Sequence, residues 1–265
     1  MDRSRDEEPR WHDGGRVVDR HDRERDFWGH HIPSLDVCLT EFRDGPDPNT
    51  DAMLRAVEPV AGARILDFAC GGGVTSAWLA ARGAEVVGLD LSPESLERAR
   101  EVRDALGLTG RFVGTLEEAD EFGPYDAVVG RYALHHTDVS QIGPLLASRL
   151  RPGGTGAFVE TFGTNPVLRF ARETLTGRLG IRKVGTEDER PLDHSDLAAL
   201  QSAFGHMEVK CAQMHFLRLL DRQVLQFRYS AASSAFGWLD DRIGGFTSAV
   251  PLSYFQVVVV KKSAS

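Results

Sequence analysis

Between Arg64 and Glu160 two kinds of segment alternate, and the alternation leaves few folds open. "ARILDFA" is a short apolar run, and in "VTSAWLAARG" Val74, Ala77, Trp78 and Ala81 recur at helical spacing before Gly83 offers a stop. "EVVGLD" is a second apolar run. "SPESLERAREVRDALG" is a second helix, with Ser92 as N-cap, Pro93 at its first position and Gly107 at its end. "RFVGT", "YDAVVGRYAL" and "TGAFVET" follow as strands, with "QIGPLLASRL" as a helix interrupted near Pro144 and "RPGG" as a turn. Strands separated by helices pair in parallel, and the crossover helices cover both faces of the sheet. The expected class is therefore α/β, with a doubly wound, mainly parallel sheet.

The flanking regions differ. Residues 1–26 are crowded with charges of both signs and poor in apolar residues, so they are expected to form a disordered leader. From there the chain is expected to fold as a single domain, 27–265. Its stretch 27–58 carries enough apolar residues for one or two helices ahead of the first strand. Later, "PVLRFARETLTGRL" and "SDLAALQSAFG" look helical, the second with Ser195 as N-cap. "MEVKCAQMHF" and "SYFQVVVVKK" read as two late strands with helical sequence between them. Helical additions are thus expected over 163–205 and 217–250. In "HFLRLLDRQVLQFR", Leu217, Leu220, Val224 and Phe227 form an apolar stripe beside Arg218, Arg222 and Arg228. That stripe suits packing on the sheet, a lid, a homodimer face or a membrane-surface helix within 215–245.

Composition removes several function classes. A net charge of -8 opposes binding to nucleic acid by phosphate neutralisation, and equally a polybasic membrane anchor. Three cysteines, Cys38, Cys70 and Cys211, are odd in number and widely spaced, which fits a reducing cytoplasm better than a disulfide framework or a zinc site. No metal is expected: His30 and His31 with His135 and His136 lack ligand spacing. No apolar run is long enough to span a bilayer, and the N-terminus lacks the apolar region of a signal peptide.

The chemistry is concentrated in "DFACGGGVTS". Gly71, Gly72 and Gly73 lie between the first strand and its helix. In a parallel sheet, ligands bind beyond the carboxyl ends of the strands where the strand order reverses, and glycines there let the backbone approach a ligand. The helix N-terminus adds N–H groups and a positive dipole end. Asp90 ends the second strand, where an acid can accept hydrogen bonds from a ribose diol. The loop therefore holds a nucleoside-bearing ligand. A dinucleotide fingerprint is matched only if Ser76 replaces its third glycine.

The acid-led loop resembles that of class I S-adenosylmethionine-dependent methyltransferases of the small-molecule type, D-x-G-x-G-x-G, through Asp67, Gly71 and Gly73, with Ala69 in place of the first glycine. "GLDLS", "FVGTLEEAD", "YDAVVGRYALHHT" and "LRPGGTGAFVE" continue the likeness in the family's order. The resemblance implies a Rossmann-like, seven-stranded sheet whose cofactor-binding core is 64–160, with the N-terminal helices as a cap and a helical insertion before the last strand, near the acceptor. It implies S-adenosylmethionine as cofactor and S-adenosylhomocysteine as product. It also implies roles. Asp67 orients the loop, the backbone at Ala69, Cys70 and Gly71 and the carbonyl near Arg131 bind the methionine end, and Asp90 takes the ribose. Leu91 and Leu116 sandwich the adenine, whose amino group falls to Thr115 or Glu117. Trp28 and His31 line the acceptor pocket.

Methyl transfer to oxygen or nitrogen needs alignment and, for a protonated acceptor, a base. His135 and His136 follow the fourth strand at its carboxyl end, and an ordinary imidazole pKa of about 6.5 suits that task. Neighbouring side chains diverge, so one of the pair, His136, is expected to face the cavity and the other to shape the loop. The expected function is methylation of a small or medium-sized acceptor. A non-methylating use of the same site (cyclisation or decarboxylation), a nicotinamide dehydrogenase and a non-catalytic interaction module are the alternatives.

Overall fold

A computed structural model describes residues 12–13, 16–17, 32–165, 190–211, 217–221, 228–244, 250 and 252–264. Its centre is a seven-stranded sheet. In chain order the strands are β1 (Arg64–Phe68), β2 (Glu85–Leu89), β3 (Arg111–Val113), β4 (Tyr125–Arg131), β5 (Leu150–Thr161), β6 (Gly205–Lys210) and β7 (Phe255–Lys262). Their spatial order is β3-β2-β1-β4-β5-β7-β6. The first five pair in parallel, while β7 runs antiparallel to both β5 and β6. The order reverses between β1 and β4, so the crevice that can take a ligand opens at the carboxyl ends of those two strands.

Both faces of the sheet are buried, which explains the near-continuous apolar runs. Along β1, Ile65 packs into one core cluster, and Leu66 and Phe68 into the other. The Ile65 side is covered by α1 (Leu35–Asp44), α2 (Pro48–Ala56), α3 (Val74–Ala81) and α4 (Pro93–Ala105). The Leu66 side is covered by α5 (Leu116–Asp120), α6 (Val139–Arg149) and α7 (His194–Phe204). Local sequence sets the helix starts. Asp47 accepts N–H bonds from Asn49 and Thr50 with Pro48 behind it, and Ser92 accepts from Ser95 with Pro93 behind it.

Several expectations are corrected. α6 is continuous through Pro144 at its middle; Pro144 is exposed, as is Ser140, whose carbonyl loses a donor. The turn at Arg151–Gly154 is an outward bulge inside β5, since Tyr125 pairs with Leu150 and Ala127 with Thr155. α7 is capped by Asp193 rather than Ser195, with Asp193 and Asp196 forming a reciprocal capping box. β4 stops at Arg131, and Leu134–His136 is a short 3-10 turn. Within the leader, His12–Asp13 and Arg16–Val17 pair as two short antiparallel strands rather than lying disordered; the rest of 1–26 falls outside the described residues. So does the helix read in "PVLRFARETLTGRL".

Between β6 and β7 lie α8 (Leu217–Leu220) and α9 (Ser230–Gly244). The fully buried Asp240 accepts the N–H groups of Leu217 (3.0 Å) and Arg218 (2.8 Å), and Arg218 pairs with Asp241. These contacts fix α8 on α9. Val224 and Phe227 of the expected stripe fall outside the described residues. No helix among the described residues is long and apolar enough to cross a membrane.

Candidate active site

The loop from Ala69 to Gly73 leaves β1 and enters α3 through left-handed backbone. Ala69 has φ 55°, Gly71 φ 51° and Gly73 φ 79°. Gly73 is required twice over: a Cβ there would lie 2.7 Å from the Cβ of Ala99, so only a hydrogen lets α3 approach α4. At Gly71 a Cβ would meet nothing within 4 Å, so that side of the loop is open to close approach. The Cys70 N–H donates to Leu89 O (2.9 Å), tying the loop to β2, and its buried side chain sits against Gly88. Burial pushes the Cys70 thiol well up, so it behaves as an apolar filler.

Two carboxylates flank the loop. Asp67, 1% exposed at the end of β1, accepts a hydrogen bond from Ser76 Oγ (2.6 Å). Burial pushes its carboxyl up to about 7, against the lowering effects of Ser76 and Arg131. Ser76 is thus the partner of the loop's acid, not a stand-in for a third glycine. Asp90 accepts the Gly71 N–H on Oδ2 (2.9 Å) and the Ser92 N–H on Oδ1 (3.0 Å). It therefore holds the glycine loop and the start of α4 together. Each carboxylate oxygen has two lone pairs, which leaves capacity for a ribose diol. Desolvation raises its pKa, opposed by those two N–H bonds.

Past β3 the chain turns into α5. Thr115 is the N-cap of this helix, its Oγ1 accepting the Glu118 N–H (3.2 Å), and Glu118 in turn accepts the Gly114 N–H (2.7 Å). The hydroxyl expected to meet an adenine amino group is thus engaged as a cap, and Glu118 went unnoticed in the sequence. Glu117 is exposed. Leu116 packs at the edge of the core, while Leu91, just past the end of β2, is 51% exposed.

The end of β4 carries the densest polar arrangement. Arg131 pairs with Glu41 of α1 and lies 5.5 Å from the Trp78 ring, whose Nε1–H donates to Phe42 O (3.2 Å). These contacts bring α1 across the carboxyl edge of the sheet. Tyr132 follows with φ 58°, a rare conformation for a bulky residue, fixed by its N–H bond to Val159 O (2.8 Å) and its ring against Phe255 (5.2 Å). His135 is buried, with Nδ1 2.7 Å from Glu160 Oε2. His136 is half-buried beside it, ring centroids 4.0 Å apart. Glu160 is the site residue that sequence reading missed. Its signal was present, since an acid inside the buried run "AFVET" demands partners. Trp28 and His31 fall outside the described residues. Among the described residues no group of three or more His, Cys, Asp or Glu is arranged to hold a metal ion.

Comparison with known proteins agrees with this geometry. Residues 65–154 match the methyltransferase domain family. The ubiquinone biosynthesis O-methyltransferase of Shewanella pealeana is 35% identical over 150 residues, covering 52% of this chain and 62% of that protein. The ribosomal RNA small subunit methyltransferase C of Chromohalobacter salexigens is 32% identical over 117 residues, covering 42% of this chain and 35% of that one. The chain thus spans about a third to three-fifths of the length of these curated relatives. A solved structure described as converting a disulfide bond into a thioacetal group during echinomycin biosynthesis shares the fold, with TM-score 0.56 at 15% identity, over 92% of this chain and 93% of that one. Residues 65–154 thus carry a methyltransferase domain, set in a sheet whose strand order reverses beside the glycine loop.

Proposed function

We propose that this chain transfers the methyl group of S-adenosylmethionine to the oxygen or nitrogen of a small or medium-sized acceptor. The observation that carries the reading is the loop 69–73, closed onto Asp90 through the Gly71 N–H and open beside the Gly71 α-carbon. That combination gives a nucleoside both a diol acceptor and room for close backbone approach. When bound, the cofactor supplies a methyl already activated on a cationic sulfur. The chain's part is then to align the acceptor and receive its proton. His136, the more accessible of the pair, takes that role, while His135 is tied to Glu160. His136 would take up the proton that the acceptor atom loses on methylation. The N-terminal helices α1 and α2 and the α8–α9 insertion are read as the acceptor side.

One relative is named for ribosomal RNA and another for ubiquinone biosynthesis. The net charge of -8 favours an acceptor that is not a polyanion. Incubation with methyl-labelled S-adenosylmethionine, against panels of phenols and amines and against small-subunit ribosomal RNA, tests this. Label in a small-molecule product is expected; label in RNA contradicts the small acceptor. Cofactor binding without label in any product would point instead to a non-methylating reaction. Once an acceptor is found, His136→Ala is expected to lower turnover by about 10²–10⁴-fold with cofactor affinity unchanged. A folded variant that keeps its activity would remove the base from this residue.

A further inference from the structure

Glu160 is 0% exposed, at the carboxyl end of a central strand, and has no assigned role. A carboxylate so deeply buried persists only with strong partners. It has three, all from consecutive residues past β4. Oε1 accepts the N–H groups of Ala133 (2.9 Å) and Leu134 (2.7 Å), and Oε2 lies 2.7 Å from Nδ1 of His135. One side chain of β5 thus holds the whole turn that carries the histidine pair.

We propose that Glu160 is the positioning residue of this turn: it fixes His135 as the Nδ1–H tautomer, so that Nε2 is the ring's proton acceptor. The argument is one of donors and acceptors. The two backbone N–H groups can only donate, so they claim Oε1 as an acceptor and favour the ionised carboxylate. An ionised Oε2 can only accept, so the hydrogen of the 2.7 Å contact belongs to Nδ1. In the neutral ring the remaining nitrogen, Nε2, then carries no proton. A proton arriving there would create an imidazolium facing a carboxylate. The His136 ring, tilted by 40° with its centroid 4.0 Å away, packs beside the ring so fixed. The proposal rests on the methyltransferase reading only for the use made of the turn; the tautomer itself does not depend on it.

The test is Glu160→Gln, an isosteric change that keeps the clamp and reverses one polarity. The Ala133 and Leu134 N–H groups still require an oxygen, so the amide oxygen stays on them and the NH₂ faces His135. Nδ1 must then accept, and the proton moves to Nε2. Histidine-labelled ¹⁵N spectra of the full chain, with S-adenosylhomocysteine present and His135 assigned by its loss in His135→Gln, read both tautomers. The expected result is an Nδ1–H ring in the wild type and an Nε2–H ring in Glu160→Gln. An Nε2–H ring in the wild type, or the same tautomer in both folded proteins, overturns the proposal. If Glu160→Gln does not fold, the wild-type spectrum alone decides. A failure of S-adenosylhomocysteine to raise the wild-type melting temperature would count against the cofactor reading and leave the tautomer result standing.

Discussion

Asp67 shows how a single residue at this site trades stability for position. Its carboxyl is raised by burial from 3.8 to about 7, so the folded chain holds a proton that the unfolded chain releases near pH 4. The favourable state is therefore fully present below about pH 4 and is lost as pH rises towards 7. Above that, the buried charge costs on the order of 4 kcal/mol, since each tenfold change in proton affinity is worth about 1.4 kcal/mol. Asp67→Asn, which keeps an acceptor for Ser76, is expected to gain on the wild type steadily between about pH 4 and 7 in urea unfolding and to level off above that. Parallel stability curves for the two proteins would contradict this account of Asp67. Ala69 makes the opposite case, a methyl in left-handed backbone at φ 55°. Ala69→Gly is expected to raise the unfolding free energy by up to about 1 kcal/mol, seen as a higher urea midpoint with an unchanged slope. A lower midpoint would show that the loop's strain lies elsewhere.

At the scale of elements, the critical contact is α3 against α4. Gly73→Ala places a methyl 2.7 Å from Ala99 Cβ and 2.8 Å from Ala99 Cα, where backbone must yield. The expected loss is about 1–3 kcal/mol, and because α4 begins at the Asp90–Ser92 turn, the shift also loosens the Gly71–Asp90 bond. Circular dichroism melts of the variant would show it; an unchanged melting temperature would contradict the close packing. The central strands were legible because they are buried on both faces, and α4 because it carries its own cap at Ser92 and Pro93. What the sequence hid were features too short to leave a periodic pattern or set by contacts far along the chain. α5 is only five residues long and is held by Thr115 and Glu118. Pro144 leaves its helix whole on an exposed face, where Ser140 also lies at the surface. Glu160 looked like an ordinary strand end until Ala133, Leu134 and His135 were seen to converge on it. Glu41 meets Arg131 only through the fold.

For the whole molecule, strand order decides where function lies. The reversal between β1 and β4 puts Asp67, the glycine loop, Asp90 and the histidine turn along one edge of the sheet. The loop and its two acids were readable from spacing, and their joint geometry is what a nucleoside-bearing cofactor requires. The most direct test is calorimetric titration of S-adenosylmethionine into the wild type and Asp90→Ala. The account predicts binding to the wild type, weakened about ten- to hundredfold in the variant, the loss of hydrogen bonds to a charged acceptor worth roughly 1.5–3 kcal/mol. No binding to the wild type, or equal affinity in a folded Asp90→Ala, would contradict it.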